Sequence, residues 1–95
     1  MAERTDARIP VEELLEFPVR YSFKVIGHHT RELSDEAYAA VRGALEEGRR
    51  VELRTRLSSK GAYLSVTLTA RIQSAEELKA VYRALRLVNG VITLL

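Results

Sequence analysis

The sequence predicts an α+β fold: one four-stranded antiparallel sheet with two helices on one face, in the order βαββαβ. Three observations predict it. Segments 19–28, 51–57 and 63–72 alternate apolar and polar residues with period two, the mark of half-buried strands. Segments 34–47 and 74–88 instead repeat apolar residues at helical spacing. Ser58-Ser59-Lys60-Gly61 then joins two of the alternating runs through a short Gly-containing turn, which makes them a hairpin. Right-handed crossovers turn this order into the ferredoxin-like sandwich, with the first and third strands central and the second and fourth at the edges.

Each element has its own local cause. Residues 1–9 are polar and mixed in charge and read as a flexible lead to a single domain at 10–95. Pro10 suits a first helical position and Pro18 disfavours helix at Phe17, so 10–18 reads as one helical turn pinned by Leu14, Leu15 and Phe17. In 19–28, Tyr21, Phe23 and Val25 share one face, and Ser22, Lys24 and Ile26 the other. Ser34 reads as the cap of the first long helix, followed by Asp35 and Glu36 at its positive end; Ala37, Ala40, Val41, Ala44 and Leu45 form its apolar stripe, and Gly48 its stop. In 51–57, Val51, Leu53, Thr55 and Leu57 alternate with Glu52, Arg54 and Arg56. In 63–72, Leu64, Val66, Leu68, Ala70 and Ile72 alternate with Tyr63, Ser65, Thr67, Thr69 and Arg71. Ser74-Ala75-Glu76-Glu77 reads as a capping box opening the second helix, whose stripe is Leu78, Val81, Tyr82, Leu85 and Val88. Residues 91–95 form the last strand. The expected core is Tyr21, Phe23, Val25, Leu53, Val66, Leu68 and the two helix stripes.

Composition narrows the function classes. The 95 residues are 46% hydrophobic and 29% charged, ordinary for a globular domain able to bury one core. No apolar run approaches the roughly 20 residues of a membrane span, and Met1-Ala2-Glu3-Arg4-Thr5-Asp6 offers no signal-peptide core. The absence of Cys removes disulfides, thiolate metal sites and a Cys nucleophile. A cytoplasmic location is the resulting expectation. The formal charge of +2 and pI near 9.2 are mildly basic, so the distribution of charge has to decide about nucleic acid. The last strand carries Val91, Ile92, Leu94 and Leu95 with no charge, an apolar edge that a homo-oligomer would cover.

Glu13-Leu14-Leu15-Glu16-Phe17-Pro18, Tyr21-Ser22-Phe23-Lys24-Val25-Ile26-Gly27 and Ser58-Ser59-Lys60-Gly61-Ala62-Tyr63-Leu64-Ser65-Val66 occur in this order at compatible spacing. Together they resemble the YbeD-like family of small bacterial proteins of unknown function, over roughly residues 12–95. The resemblance implies a ferredoxin-like fold similar to the ACT regulatory domains, which bind small effectors such as amino acids. It supplies no catalytic residues and no cofactor. It places Gly27 where ACT domains carry their ligand loop, while His28-His29-Thr30-Arg31 departs from the family pattern.

The candidate sites follow. Gly27, Thr30 and Arg31 could cradle a small anion near a helix start, against a plain strand-to-helix loop. Ser58, Ser59, Lys60 and Gly61 lack the G-x-x-x-x-G-K-[ST] pattern and join two strands, so a hairpin turn is the simpler account; the resemblance keeps a surface-recognition role for them. Arg54, Arg56 and Tyr63, with Lys24 and Arg71, put basic groups beside one aromatic on the open sheet face. RNA-recognition sheets use two or three stacking aromatics there, so a nucleic-acid partner is disfavoured but stays as the alternative function. His28-His29 has no third ligand, and solvated histidines explain it better than a metal pair. No Ser/His/Asp grouping or carboxylate pair appears; Arg31 sits where acylphosphatases, which share the fold, use an arginine, but their Gly-rich loop is missing. The expectation is a non-enzymatic, ACT-like regulatory or binding domain without metal or cofactor, serving a small effector or a protein partner.

Overall fold

The structure, a computed structural model, describes residues 14–95. The lead at 1–9 and residues 10–13 of the expected helical turn lie outside the described residues. Leu14 is helical but exposed, while Leu15 and Phe17 pack against the core. The Phe17–Pro18 peptide bond is cis.

Alternation in the strands and periodicity in the helices sort the side chains onto faces, and the elements follow as β1 (Val19–His28), α1 (Arg31–Ala44), β2 (Val51–Leu57), β3 (Tyr63–Ile72), α2 (Ala75–Arg86) and β4 (Val91–Leu94). The sheet order is β2-β3-β1-β4, every neighbouring pair antiparallel. Phe23 and Val25 of β1 lie across from Leu68 and Val66 of β3. All four are fully buried under the stripes Leu33, Ala37, Val41 of α1 and Leu78, Val81, Leu85 of α2. Among the described residues no helix covers the other face of the sheet, as an antiparallel sheet allows.

Two helix boundaries and one cap differ from the sequence reading. Helix α1 begins at Arg31, with extended Thr30 before it, so Ser34 lies inside the first turns and caps nothing. The reason is Leu33: starting earlier adds it to the buried stripe one turn ahead of Ala37. The helix also ends at Ala44, and Gly48, at φ +90°, serves the following turn instead of the helix end. At α2, Ser74 accepts from the Glu77 N–H as expected, but the Glu77 carboxylate accepts from the Gln73 N–H at 2.8 Å, so the reciprocal half of the box is displaced by one residue.

Leu53 is the correction in the core. It lies on the helix side, opposite Leu68, yet it is 42% exposed. β2 is an edge strand, and the helices cover Val51 at its start but not Leu53, Thr55 or Leu57 beyond it. Alternation assigns a residue to a face; whether anything covers that face depends on where the helices lie.

Gly27 shows why one position must be glycine. A Cβ built there would stand 2.3 Å from the Gly90 carbonyl oxygen and 3.0 Å from Leu33 Cδ2. The backbone of the α2–β4 connection fills the space, and His28 N–H donates to that same carbonyl at 3.2 Å. Gly27→Ala is therefore expected to cost about 1–3 kcal/mol, as overpacking does. The readout is the urea midpoint; an unchanged midpoint would mean that the connection yields freely.

Candidate binding face and its two ends

Because β1 and β3 run antiparallel, the end of β1 meets the start of β3, with His28 opposite Tyr63. This register brings together two segments the sequence presented separately. His29 N–H donates to the Ala62 carbonyl at 3.0 Å, and His29 Nδ1 donates to the Gly61 carbonyl at 3.2 Å. The His28 and Tyr63 rings stand 5.8 Å apart, tilted by 33°. The loop before α1 thus rests on the hairpin turn.

The turn is closed by its own bonds. Gly61 N–H donates to the Ser58 carbonyl at 2.9 Å, Tyr63 N–H to Ser58 Oγ at 3.0 Å, and Ser58 N–H to the Tyr63 carbonyl at 2.9 Å. Gly61 sits at φ +78°, which suits glycine. Ser59 and Lys60 are exposed at the tip. Of the residues proposed for an anion, Gly27 is buried beneath Gly90, whereas Thr30 and Arg31 are exposed at the first turn of α1. The two histidines are engaged separately, one against Tyr63 and one with Gly61. Among the described residues no three His, Cys, Asp or Glu side chains gather as a metal site would require.

The open face extends from this end across the sheet. Its central track carries hydroxyls, with Ser22 and Thr69 bonded at 2.7 Å. Flanking it are Arg20, Lys24, Arg54, Arg56 and Arg71. Against these cations the described strands place one acidic side chain on this face, Glu52, and Arg20 already holds it at 2.6 Å. That hydrogen bond keeps the Glu52 carboxyl below the usual carboxylate range. Among the described side chains of this face, positive charge outnumbers negative. The aromatics expected of a nucleic-acid platform are absent from its centre, where Ser22, Ser65, Thr67 and Thr69 stand.

At the far end lies a cleft of ≈ 530 Å³, lined by Arg20, Arg49, Arg50, Arg71, Glu46 and Glu52 among others. Much of its charge is already spent: Arg20 on Glu52, and Arg49 on Glu46 and Glu77. Arg49 gives no signal of this role in the sequence, because Arg49-Arg50 resembles an ordinary charged connection. Its guanidinium bonds both Glu77 oxygens at 3.0 Å and the Arg71 carbonyl at 2.8 Å, and Arg42 in turn donates to the Arg49 carbonyl at 2.6 Å. These groups lock the α1–β2 connection onto the start of α2.

Comparison with known proteins agrees with this architecture. The family described as "Protein of unknown function (DUF493)" matches residues 12–95. The chain belongs to this family. Curated relatives include the UPF0250 proteins of Shewanella piezotolerans, 39% identical over 80 residues, and of Shewanella woodyi, 35% identical over 80 residues. Each alignment covers 84% of this chain and 89% of the relative. Among solved structures, protein HP0495 from H. pylori superposes with a TM-score of 0.73 at 15% identity, over 96% of this chain and 92% of that one. The ACT domain from GTP pyrophosphokinase of Chlorobium tepidum gives 0.64 at 12% identity, over 81% and 83%. The family is one of small bacterial proteins of unknown function, and the fold is the ferredoxin-like, ACT-like sandwich. No helix among the described residues is long and apolar enough to cross a membrane.

Proposed function

We propose that this domain works without catalysis, as a binding module whose open sheet face holds an acidic partner protein. The observation that carries the reading is the charge of that face: Lys24, Arg54, Arg56 and Arg71 stand free of the ion pairs found among the described residues, and Glu52 is neutralised by Arg20. A surface of one sign steers an opposite partner and sets its orientation. The ACT-like fold supports a regulatory setting, in which such a module brings its partner under control. A protein suits the face better than single-stranded RNA, because the central strands carry hydroxyls where stacking rings would be needed and Tyr63 stands at one end.

The test compares polyglutamate with polyuridylate by fluorescence anisotropy. Polyglutamate is expected to bind at low salt and to be released as salt rises. Arg54→Glu with Arg56→Glu should weaken it at least about tenfold, roughly 1.4 kcal/mol. Tighter binding of polyuridylate, lost on Tyr63→Ala, would replace the protein partner with nucleic acid. No binding of either polymer would sink the reading.

A further inference from the structure

We infer that the free edge of β2 takes an extended segment of the partner as a fifth strand, one in which carboxylate and apolar side chains alternate. The inference rests on the acidic-partner reading and adds the place and the form of the contact. It begins from the residue that the core lacks, Leu53.

The hydrogen-bond register defines the edge. Ser58 N–H donates to the Tyr63 carbonyl, so Ser58 and Tyr63 are a hydrogen-bonded pair. Antiparallel pairs alternate between bonded and non-bonded, so Arg56–Ser65, Arg54–Thr67 and Glu52–Thr69 are bonded in turn. The N–H and C=O groups of Leu53, Thr55 and Leu57 therefore point away from the sheet and lack strand partners among the described residues. They present donors and acceptors at the two-residue spacing that an added strand needs. β4 offers a poorer edge: it has only four residues, and its register shifts between Ile26 and Gly27.

Side chains define the occupant. On the helix side of the edge, Leu53 and Leu57 are 42% and 47% exposed. On the open side, Arg54 and Arg56 alternate with them. A strand laid along this edge must place apolar residues against the leucines and, one residue on, carboxylates against the arginines. At the end of the edge, on the same side as the arginines, a hollow of ≈ 210 Å³ lined by Ile26, Arg56, Leu57, Tyr63 and Ser65 among others has room for an apolar side chain where the alternating segment ends.

A second copy of this chain fits the edge badly. Antiparallel self-pairing centred on Thr55 sets Arg54 opposite Arg56 twice. Centred on Arg54, it sets that residue against itself. Centred on Leu53, it offers Glu52 to Arg54, but Glu52 is already bonded to Arg20. Like charges directly opposite each other destabilise a strand pair. The arginines thus guard the edge against its own kind while matching an acidic strand.

The test uses a capped peptide of alternating Glu and Val, titrated into the 15N-labelled full chain. It should bind, and the amides of Leu53, Thr55 and Leu57 should become protected from hydrogen exchange while those of β4 do not. Alternate backbone N-methylation of the peptide leaves the protein untouched and removes half the donors. It should weaken binding about tenfold, roughly the loss of one or two net backbone hydrogen bonds. A peptide of the same composition with Glu and Val in separate blocks is the control. Equal binding of the block peptide, with no edge protection, would overturn the added strand and leave the basic-face reading standing. Failure of both peptides and of polyglutamate would remove both. In the protein, Thr55→Pro should abolish the edge protection, since the Thr55 N–H is not used in the β2–β3 ladder and an edge strand tolerates proline.

Discussion

Phe23→Ala is expected to lower stability by about 3–5 kcal/mol, the usual cost of removing a buried aromatic and leaving its cavity. Phe23 is fully buried on the central strand. Its ring meets Tyr21 at 4.8 Å and Tyr82 at 5.1 Å, both edge to face. It thus joins β1 to α2 through one aromatic cluster, and such ring pairs add about 0.5–1.5 kcal/mol beyond burial. A domain of ordinary stability has about 5–15 kcal/mol in total, so this single truncation should bring the chain close to its unfolding threshold. Urea denaturation followed by circular dichroism measures the effect, and a loss under about 1 kcal/mol would contradict the burial described. Phe23→Leu keeps most of the volume and should cost about 1–1.5 kcal/mol. The adjacent Tyr21 and Tyr82 hydroxyls are 2.7 Å apart. Burial, then the bond to Tyr21, pushes the Tyr82 phenol well above the usual tyrosine range.

The strands of this fold are legible because each rests on a pattern confined to its own residues. Alternation from Tyr21 to Val25 and from Leu64 to Ile72 needs no distant partner to be seen. The start of α1 was less legible. Ser34-Asp35 looks like a cap, and the opposing signal, Leu33 four residues before Ala37, is a single residue. Leu53 could not be placed by pattern at all, since its exposure depends on how far α1 reaches across an edge strand.

The candidate face was half legible. The alternation already put Lys24, Arg54, Arg56 and Arg71 on one side. That the His28-His29 loop would meet the Ser58–Gly61 turn follows only from the antiparallel register of two strands far apart in sequence. The edge groups of Leu53, Thr55 and Leu57 required the bonding phase of the β2–β3 ladder, which a two-residue period does not reveal. Arg49 was hidden for a related reason: its partner Glu77 is 28 residues away and also reads as a helix-capping residue.

Glu77→Gln is expected to remove about 2–3 kcal/mol at neutral pH and to change the acid limb of the stability curve. The Arg49 and Glu77 side chains are 12% and 18% exposed, so their pair belongs nearer to buried pairs, about 3–5 kcal/mol when one partner is lost, than to surface pairs at about 0–1. Glutamine keeps an acceptor for the Gln73 N–H but not the charge, which places the estimate below the full range. The hydrogen bond from Arg49, helped by the Gln73 N–H, holds the Glu77 carboxyl below the usual carboxylate range, with burial opposing it. The folded value is therefore lower than the unfolded one. Its stabilisation is fully present above the unfolded value, about pH 4.3, and is lost as pH falls through the folded value. Arg49 is shifted the other way, first by its bond to Glu77, so its contribution fades only in strong alkali and leaves the acid limb to Glu77. The difference in unfolding free energy between wild type and Glu77→Gln should be constant from neutral pH down to about pH 5 and shrink below about 4.3. Arg49→Met should show the same shrinkage, and the double variant should cost much less than the two single losses combined. Parallel pH curves for wild type and Glu77→Gln, or full additivity of the two variants, would show that α2 is held to the α1–β2 connection by packing alone.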